Sequence, residues 1–290
     1  MPETESPTDT FIHIADLHFW KVVWNPLRLA NKRILGMANV YFSRRRHFAM
    51  ANAEPFADAV AATGVKDLLL TGDFTSTALD EEFVMAAAFV RGLADRGLRI
   101  ALAPGNHDVY TFEARRKRRF ERYFADFLPE GGYPARVTLP GGTPLILTPT
   151  AVPNALSARG LIAPEVIERT LALIAESPLD PVVVAAHYPL LPKTDTYAST
   201  RQHRLRNAAQ FRQRLGETGR HILYVAGHVH HASYVRDPKY PALEYLTTGC
   251  LFRRDRHGEG EFSIVRVSPE DFDVIRHIHR GAWREMPLTR

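Results

Sequence analysis

The chain has 290 residues, of which 45% are hydrophobic and 24% are charged, and this ordinary globular composition excludes a largely disordered protein. Its one cysteine, Cys250, cannot form an intramolecular disulfide, so we expect a reducing compartment. No apolar run approaches the roughly 18 residues of a membrane-spanning helix. The first ten residues, MPETESPTDT, are acidic and polar, unlike a signal peptide. We therefore expect a soluble cytoplasmic protein.

Short apolar segments alternate with amphipathic ones through most of the chain. Buried strands are predicted at residues 11–15, 67–71, 99–103, 145–148, 182–186 and 222–226. Helices are predicted between them at residues 54–62, 80–93 and 164–175. This alternation is typical of an α/β fold with a sheet core.

The pattern changes after Gly227. Residues 243–247, 261–267 and 272–279 are predicted as successive antiparallel strands, which makes the sheet mixed. No repeat or linker divides the chain. We expect a disordered tail at residues 1–10 and one domain over residues 11–290.

Residue types that bind metals follow five of the predicted strands. The strand ends are Asp16-Leu17-His18, Gly72-Asp73, Gly105-Asn106-His107-Asp108, His187, and Gly227-His228-Val229-His230. Sites in α/β sheets lie at the carboxyl ends of the strands, so these side chains should converge on one edge. The two-residue spacing of D-x-H and H-x-H would point both side chains to one side of an extended segment. A lone histidine at a strand end is usually structural, but five such endings in one chain predict a metal site.

The ordered set D-x-H, G-D, G-N-H-D, a lone histidine and G-H-x-H resembles the calcineurin-like metallophosphoesterases. The resemblance spans residues 16–230. It implies two mixed β-sheets packed as a sandwich and flanked by helices, in four layers. It also implies hydrolysis of a phosphoester by hydroxide that two metal ions generate from water.

Carried over by position, the resemblance implies seven metal ligands. Asp16, His18 and His230 would hold one ion, Asn106, His187 and His228 would hold the other, and Asp73 would bridge them. Imidazole and oxygen ligands suit two divalent transition metal ions, for which we expect Mn, with Fe or Zn as alternatives. All seven ligands are present, which argues against a non-catalytic scaffold.

The resemblance also implies a catalytic pair. His107 would face the phosphate, where it would stabilise the transition state or protonate the leaving oxygen. Asp108 would fix the tautomer and orientation of His107. The alternative for Asp108 is a helix N-cap after the loop.

The motifs narrow the substrate without identifying it. Gly72-Asp73-Phe74-Thr75 and Gly105-Asn106-His107-Asp108 differ from the patterns of protein Ser/Thr phosphatases. His187-Tyr188-Pro189 partly resembles the H-H-P of class III cyclic-nucleotide phosphodiesterases. A basic, apolar segment near the site is similar to that of peripheral-membrane UDP-diacylglucosamine pyrophosphatases, although Thr75 replaces their glutamate. We expect a phosphodiester or pyrophosphate bond in a nucleotide or a nucleotide-linked lipid.

An insertion at residues 20–50 is the most individual part of the sequence. Residues 17–53 contain no Asp or Glu and seven Lys or Arg, and positions 27, 31, 34, 38, 41 and 42 form one helical face that is largely apolar. Such a helix either contacts an anionic membrane or packs its apolar face on the domain and leaves its arginines in water. The substrate-binding candidates are Arg44, Arg45, Arg46, Arg115 and Arg116, which would rim the site and attract a small anionic phosphoester. No element typical of nucleic-acid recognition is present, so we do not expect a nucleic-acid partner.

Overall fold

The computed structural model describes residues 9–23, 33–154, 157–254 and 258–290. Its strands are β1 (Asp9–Ile14), β2 (Asp67–Leu70), β3 (Arg99–Leu102), β4 (Ala135–Thr138), β5 (Pro144–Leu147), β6 (Gly160–Leu161), β7 (Val182–Ala185), β8 (Leu205–Arg206), β9 (Ile222–Ala226), β10 (Ser233–Arg236), β11 (Leu243–Thr247), β12 (Gly260–Val267), β13 (Phe272–His279) and β14 (Trp283–Pro287).

The α-helices are α1 (Arg33–Asn39), α2 (Arg45–His47), α3 (Ala53–Ala62), α4 (Asp80–Asp95), α5 (Phe112–Arg116), α6 (Arg119–Tyr123), α7 (Pro164–Ala175) and α8 (Ala208–Glu217). A π-helical turn, Val40–Arg44, joins α1 to α2. None of the described helices is long and apolar enough to cross a bilayer.

Two six-stranded mixed sheets form the centre of the molecule. The first has the order β14-β13-β12-β1-β2-β3 and the second has the order β10-β11-β9-β7-β5-β4. Strands β1, β2 and β3 run parallel, as do β5, β7, β9 and β11. The predicted sandwich of mixed sheets is therefore confirmed.

Alternation along the strands builds three apolar layers. In β1, Phe11 packs between the sheets while Ile12 faces helices α3 and α4. In β7, Val183 packs between the sheets while Val184 faces α7 and α8. Both faces of these parallel strands are covered, so apolar residues predominate on both, as the sequence indicates.

Two predicted details of the fold are wrong, and several described strands were not predicted. Asp9 and Thr10 belong to β1 and not to a disordered tail, and the Asp9 carboxylate accepts hydrogen bonds from the backbone N–H groups of Gly141 and Thr143; residues 1–8 lie outside the described part. Strand β11 is not in an antiparallel series with β12, because it pairs parallel with β9 in the other sheet. The strands that were not predicted are β4, β6, β8, β10 and β14.

Candidate metal centre

The loops after five parallel strands bring all seven candidate ligands together. Asp16 and His18 follow β1, Asp73 follows β2, and Asn106 follows β3 in the first sheet. The second sheet contributes three histidines, His187 after β7 and the pair His228 and His230 after β9. Ligand atoms of Asp16, His18 and His230 lie within 4.8 Å of one another, as do those of Asp73, His187 and His228.

Left-handed backbone, not extended backbone, aims these side chains. Five of the eight described non-glycine residues with positive φ are candidate ligands, at φ between 51° and 69°: Asp16, His18, Asp73, His228 and His230. The predicted strand-like alternation of the D-x-H and H-x-H pairs is therefore wrong. A non-glycine residue in this region costs on the order of 1–3 kcal/mol, and such strain concentrates at functional sites.

The glycines of the motifs let two loops touch. A Cβ on Gly105 would lie 2.2 Å from the backbone nitrogen of Asp73, and one on Gly72 would lie 2.3 Å from the nitrogen of Gly105. Gly72 also has φ of 89°. The G-D and G-N-H-D motifs thus need glycine because their backbones are in contact.

The first ligand set surrounds an unsatisfied carboxylate oxygen. The Nε2 atoms of His18 and His230 lie 3.0 Å apart, and His230 Nε2 is 3.6 Å from Asp16 Oδ1. Asp16 Oδ2 accepts a hydrogen bond from the His228 backbone N–H, whereas the buried Oδ1 has no hydrogen-bond partner among the described residues. His18 Nδ1 lies 3.3 Å from the Thr75 carbonyl, to which it can donate while Nε2 binds a metal.

The second set has the same construction. Asn106 Oδ1 lies 3.0 Å from His187 Nε2 and 2.9 Å from His228 Nδ1. The other ring nitrogens face backbone carbonyls, since His187 Nδ1 is 2.8 Å from the Thr71 oxygen and His228 Nε2 is 2.8 Å from the His203 oxygen. Each imidazole can therefore donate its proton to a carbonyl and direct its lone pair at an ion.

Asp73 lies between the two sets. Its Oδ2 is 3.8 Å from His18 Nε2 and 3.5 Å from His187 Nε2, while its Oδ1 accepts a hydrogen bond from the His107 backbone N–H. One carboxylate oxygen thus faces the ligand atoms of both sets. This is the position that a bridging ligand requires.

The acidic and imidazole side chains of the centre are suited to binding cations. Burial raises the pKa of Asp16 to about 8, and the negative charge of Asp73 adds to the rise. Burial would also raise the pKa of Asp73, but the charges of His187 and His107 hold it well below its usual value. Burial, aided by the charge of His187, lowers the pKa of His228 to about 3, which leaves the neutral imidazole that ligation needs. Burial would lower the pKa of His187, but the charge of Asp73 raises it to about 9, so a metal ion would displace a proton from His187 and from Asp16. Carboxylate, imidazole and amide oxygen ligands of this kind can hold two divalent transition metal ions.

His107 faces the same space, but Asp108 does not orient it. His107 Nδ1 lies 2.6 Å from the Ser76 carbonyl, which fixes the tautomer. The Asp108 carboxylate instead accepts hydrogen bonds from the backbone N–H groups of Gly105 and Thr75 and so ties the two loops together. The helix N-cap alternative is also wrong, because the cap of α5 is Thr111. The ring of Tyr110 stacks on His107 at 5.2 Å.

The five candidate arginines lie in different environments. Arg44 is buried and lines a cavity of about 370 Å³ together with Asp73, Asn106, His107, His228 and His230. Arg46, Arg115 and Arg116 are exposed and are not among the described residues that line this cavity. The side chain of Arg45 lies outside the described part.

Several groups that contribute to the metal centre could not be identified from the sequence. The carbonyls of Thr71, Thr75 and His203 orient ligand histidines, and that of Ser76 orients His107. Any residue type supplies a carbonyl, so residue identity could not indicate them. Tyr110 follows the G-N-H-D motif closely, and its position within three residues of His107 was the one available clue.

Comparison with known proteins supports this geometry. The model of the calcineurin-like phosphoesterase family matches residues 10–232. A search by sequence found no match among curated proteins. Similar solved structures include a dimetal phosphatase from Danio rerio, with a TM-score of 0.64 and 14% identity over 98% of this chain and 99% of that one. They also include a protein from Thermus thermophilus, with a TM-score of 0.51 and 15% identity over 92% of this chain and 98% of that one.

A third similar structure is a purple acid phosphatase from yellow lupin (Lupinus luteus) seeds, with a TM-score of 0.58 and 10% identity over 97% of this chain and 52% of that one. At these identities the structures show a shared fold. The match to the family model goes beyond the fold, since it extends over all five sequence motifs. The family implies two divalent metal ions. The chain belongs to the calcineurin-like phosphoesterases and is a metal-dependent phosphoester hydrolase.

Proposed function

We propose that this enzyme hydrolyses a phosphodiester or pyrophosphate bond in a nucleotide or a nucleotide-linked lipid. The observation that carries the proposal is space on two sides of the metal centre. The central cavity of about 370 Å³ adjoins one of about 350 Å³ through His203 and His228. The central cavity also adjoins a third cavity, of about 290 Å³, through His230. A phosphorus atom at the centre could therefore carry a substituent on each side, as a diester or a pyrophosphate does.

Seven side chains would hold the ions. Asp16, His18 and His230 would bind one, Asn106, His187 and His228 would bind the other, and Asp73 would bridge them. When bound, two divalent ions activate water as a nucleophile and polarise phosphoryl oxygens. Mn is our choice among Mn, Fe and Zn, because the ligands are imidazole and oxygen.

The protein's own groups orient the substrate. His107 lines the central cavity in a fixed tautomer, and its Nε2 lies 2.9 Å from Arg44 Nη2, so it would hold a cationic donor beside the phosphate. The neutral, polar walls of the cavity beside His228 include Tyr197, Ser199 and Thr200, which suit a nucleobase or sugar.

An exposed apolar surface favours the lipid-linked substrate over a cyclic nucleotide. Ile34 is 60% exposed and Phe42 is 70% exposed, and Ala38 between them is also exposed. We call these three residues the outer strip. Exposed Arg46 follows them on the same segment. Apolar side chains beside a cation suit peripheral contact with an anionic membrane, where a lipid-linked substrate would be found.

The test is hydrolysis of bis-p-nitrophenyl phosphate and p-nitrophenyl phosphate by protein loaded with Mn. We expect cleavage that requires the metal, with the diester preferred. Asp73→Asn should abolish it, because one oxygen of Asp73 serves both ligand sets. A fully metallated and active Asp73→Asn variant would refute the bridging role, and preference for the monoester would refute the proposed bond type. Comparison of UDP-linked lipids with cyclic nucleotides then decides between the two substrates.

A further inference from the structure

Arg44 is a buried cation inside the metal centre. It ends the π-helical turn Val40–Arg44, and only 8% of its surface is exposed. Its Nη1 lies 3.0 Å from His18 Nδ1, and its Nη2 lies 2.9 Å from His107 Nε2. The guanidinium group therefore joins a candidate metal ligand to the histidine that faces the substrate cavity.

The guanidinium has no carboxylate within ion-pair distance among the described residues. In the described part of the chain no ion pair within 4.0 Å joins Arg44 to Asp or Glu, whereas buried Arg33 pairs with Glu113 and half-buried Arg212 pairs with Asp237. The approach of Nη1 to the Ser76 carbonyl is long, at 3.5 Å, and therefore weak. Asp73 and Glu82 attract the guanidinium only from beyond ion-pair distance. A buried charge without a counter-charge in contact is unfavourable, so the arrangement favours an anion in the adjoining cavity.

Metal binding would release one half of the guanidinium fork. If His18 binds an ion through Nε2, its proton must be on Nδ1, which then donates to the Thr75 carbonyl. Nδ1 can then no longer accept from Arg44, so Nη1 loses this acceptor. His107 is different, because its Nδ1 donates to Ser76 and its Nε2 continues to accept from Nη2.

We propose that Arg44 is the phosphate-binding residue of this enzyme and that its Nη1 donates to a non-bridging phosphoryl oxygen at the metal centre. The assignment rests on the proposed function for the identity of the anion. Arginine suits this role because its planar fork can contact a phosphate oxygen and His107 together. The insertion thus contributes to the active site through one buried side chain, and not through the exposed basic cluster.

The test is the affinity of inorganic phosphate for protein loaded with Mn, measured by isothermal titration calorimetry. We expect Arg44→Met to weaken binding about 10- to 100-fold, as for loss of a hydrogen bond between charged groups. Arg44→Lys keeps the charge without the fork and should lose less. Arg212→Met is the matched control, since it removes a guanidinium that already has a carboxylate partner, and it should leave phosphate affinity unchanged. Metal content and thermal melting are recorded for every variant.

Three results would overturn the assignment. They are unchanged phosphate affinity in folded, metallated Arg44→Met and Arg44→Lys, loss of metal from both variants, and absence of phosphate binding by the wild-type protein. If the wild-type protein binds phosphate through Arg44 but cleaves neither nitrophenyl ester, the proposed hydrolysis fails while the assignment holds. If both variants bind phosphate normally while the wild-type protein hydrolyses the diester, the assignment fails alone.

Discussion

At the scale of single residues, His107 differs from the metal ligands around it. Its backbone N–H donates to Asp73 and its ring Nδ1 faces the Ser76 carbonyl, so both its main chain and its ring are fixed. Burial and the charge of Arg44 lower its pKa to about 3. It also lies within 4.8 Å of ligand atoms of His18 and Asp73, so a role as a ligand and a role toward substrate need separate measurement.

Replacing His107 with alanine separates these roles. We expect His107→Ala to retain both metal ions and to lower kcat about 10²- to 10³-fold, the usual effect of losing a group that supports charge development in the transition state. Metal content by plasma mass spectrometry and steady-state kinetics on bis-p-nitrophenyl phosphate give the two readouts. His203→Ala is a suitable comparison, because that side chain lines the cavity while its backbone carbonyl, which is retained, orients His228. Loss of metal from His107→Ala would identify His107 as a ligand.

The sequence could predict which residues meet at the centre but not how they are held. Residue type and position after an apolar strand predicted that these side chains converge, because parallel strands bring their ends to one edge. The choice of seven ligands among them came from the family resemblance. The left-handed turns at Asp16 and His228 were not predictable, since they are stabilised by contacts between distant loops. For the same reason Asp108 was assigned to His107, although its partners are Gly105 and Thr75.

At the scale of elements, the segment from Arg33 to Arg44 reverses the usual amphipathic arrangement. Its inward residues follow helical spacing as Arg33, Met37, Val40 and Arg44, and all four are buried. The outer strip faces away. Of the predicted apolar face, positions 27 and 31 lie outside the described part, and positions 34, 38 and 42 are exposed. The alternative in which this apolar face packs on the domain therefore does not hold at positions 34, 38 and 42, although Tyr41 is half-buried. Arg33 and Arg44 are buried, whereas Arg46 faces water.

The reversal has a local cause. Arg33 donates to the carbonyls of Thr77 and Ala78 and to the Glu113 carboxylate, so the start of α1 is held to the loop after β2 and to α5. Helix α5 begins with Phe112, which is itself exposed. Two tethered elements thus each present a large apolar side chain to the surface. The sequence shows the periodicity of α1 but not which of its faces contacts the domain, because the partners of Arg33 lie more than 40 positions away.

Removing the outer strip tests the proposed membrane contact. We expect the wild-type protein to sediment with vesicles that contain phosphatidylglycerol, and the double variant Ile34→Ser, Phe42→Ser to bind them at least about tenfold more weakly, because two buried apolar side chains are lost from the contact. Val84→Ser, a substitution of another exposed aliphatic residue on α4, should leave binding unchanged. Hydrolysis of the water-soluble diester should be the same in all three proteins. Equal sedimentation of wild type and double variant would contradict the contact.

At the scale of the whole molecule, each ligand set spans the two sheets. Asp16 and His18 follow a strand of the first sheet while His230 follows one of the second, and Asn106 in the first sheet lies opposite His187 and His228 in the second. The apolar layer between the sheets holds them together away from this edge. At the edge, the buried carboxyl groups of Asp16 and Asp73 replace apolar contact, so bound cations should stabilise the entire sandwich.

Metal ions should therefore raise the unfolding temperature of the whole chain. A ligand present at 100 times its Kd stabilises a folded protein by about 2.7 kcal/mol. For a protein of this size each 1 kcal/mol corresponds to roughly 2–4 °C, so we expect Mn to raise Tm by at least about 5 °C and a chelator to reverse the change. Scanning calorimetry should show one transition that moves as a unit, since both sheets supply ligands.

Two carboxylate variants identify the origin of this stabilisation. Asp73→Asn should lose most of the metal-induced shift, because Asp73 faces both ligand sets. Asp237→Asn removes a buried carboxylate that pairs with Arg212 outside the centre, so it should lower Tm with and without Mn and keep the full shift. A metal-induced shift of equal size in Asp73→Asn and wild type would mean that the ions stabilise the fold from another site. The inference that the metal centre joins the two sheets would then be wrong, even if hydrolysis depended on the same ions.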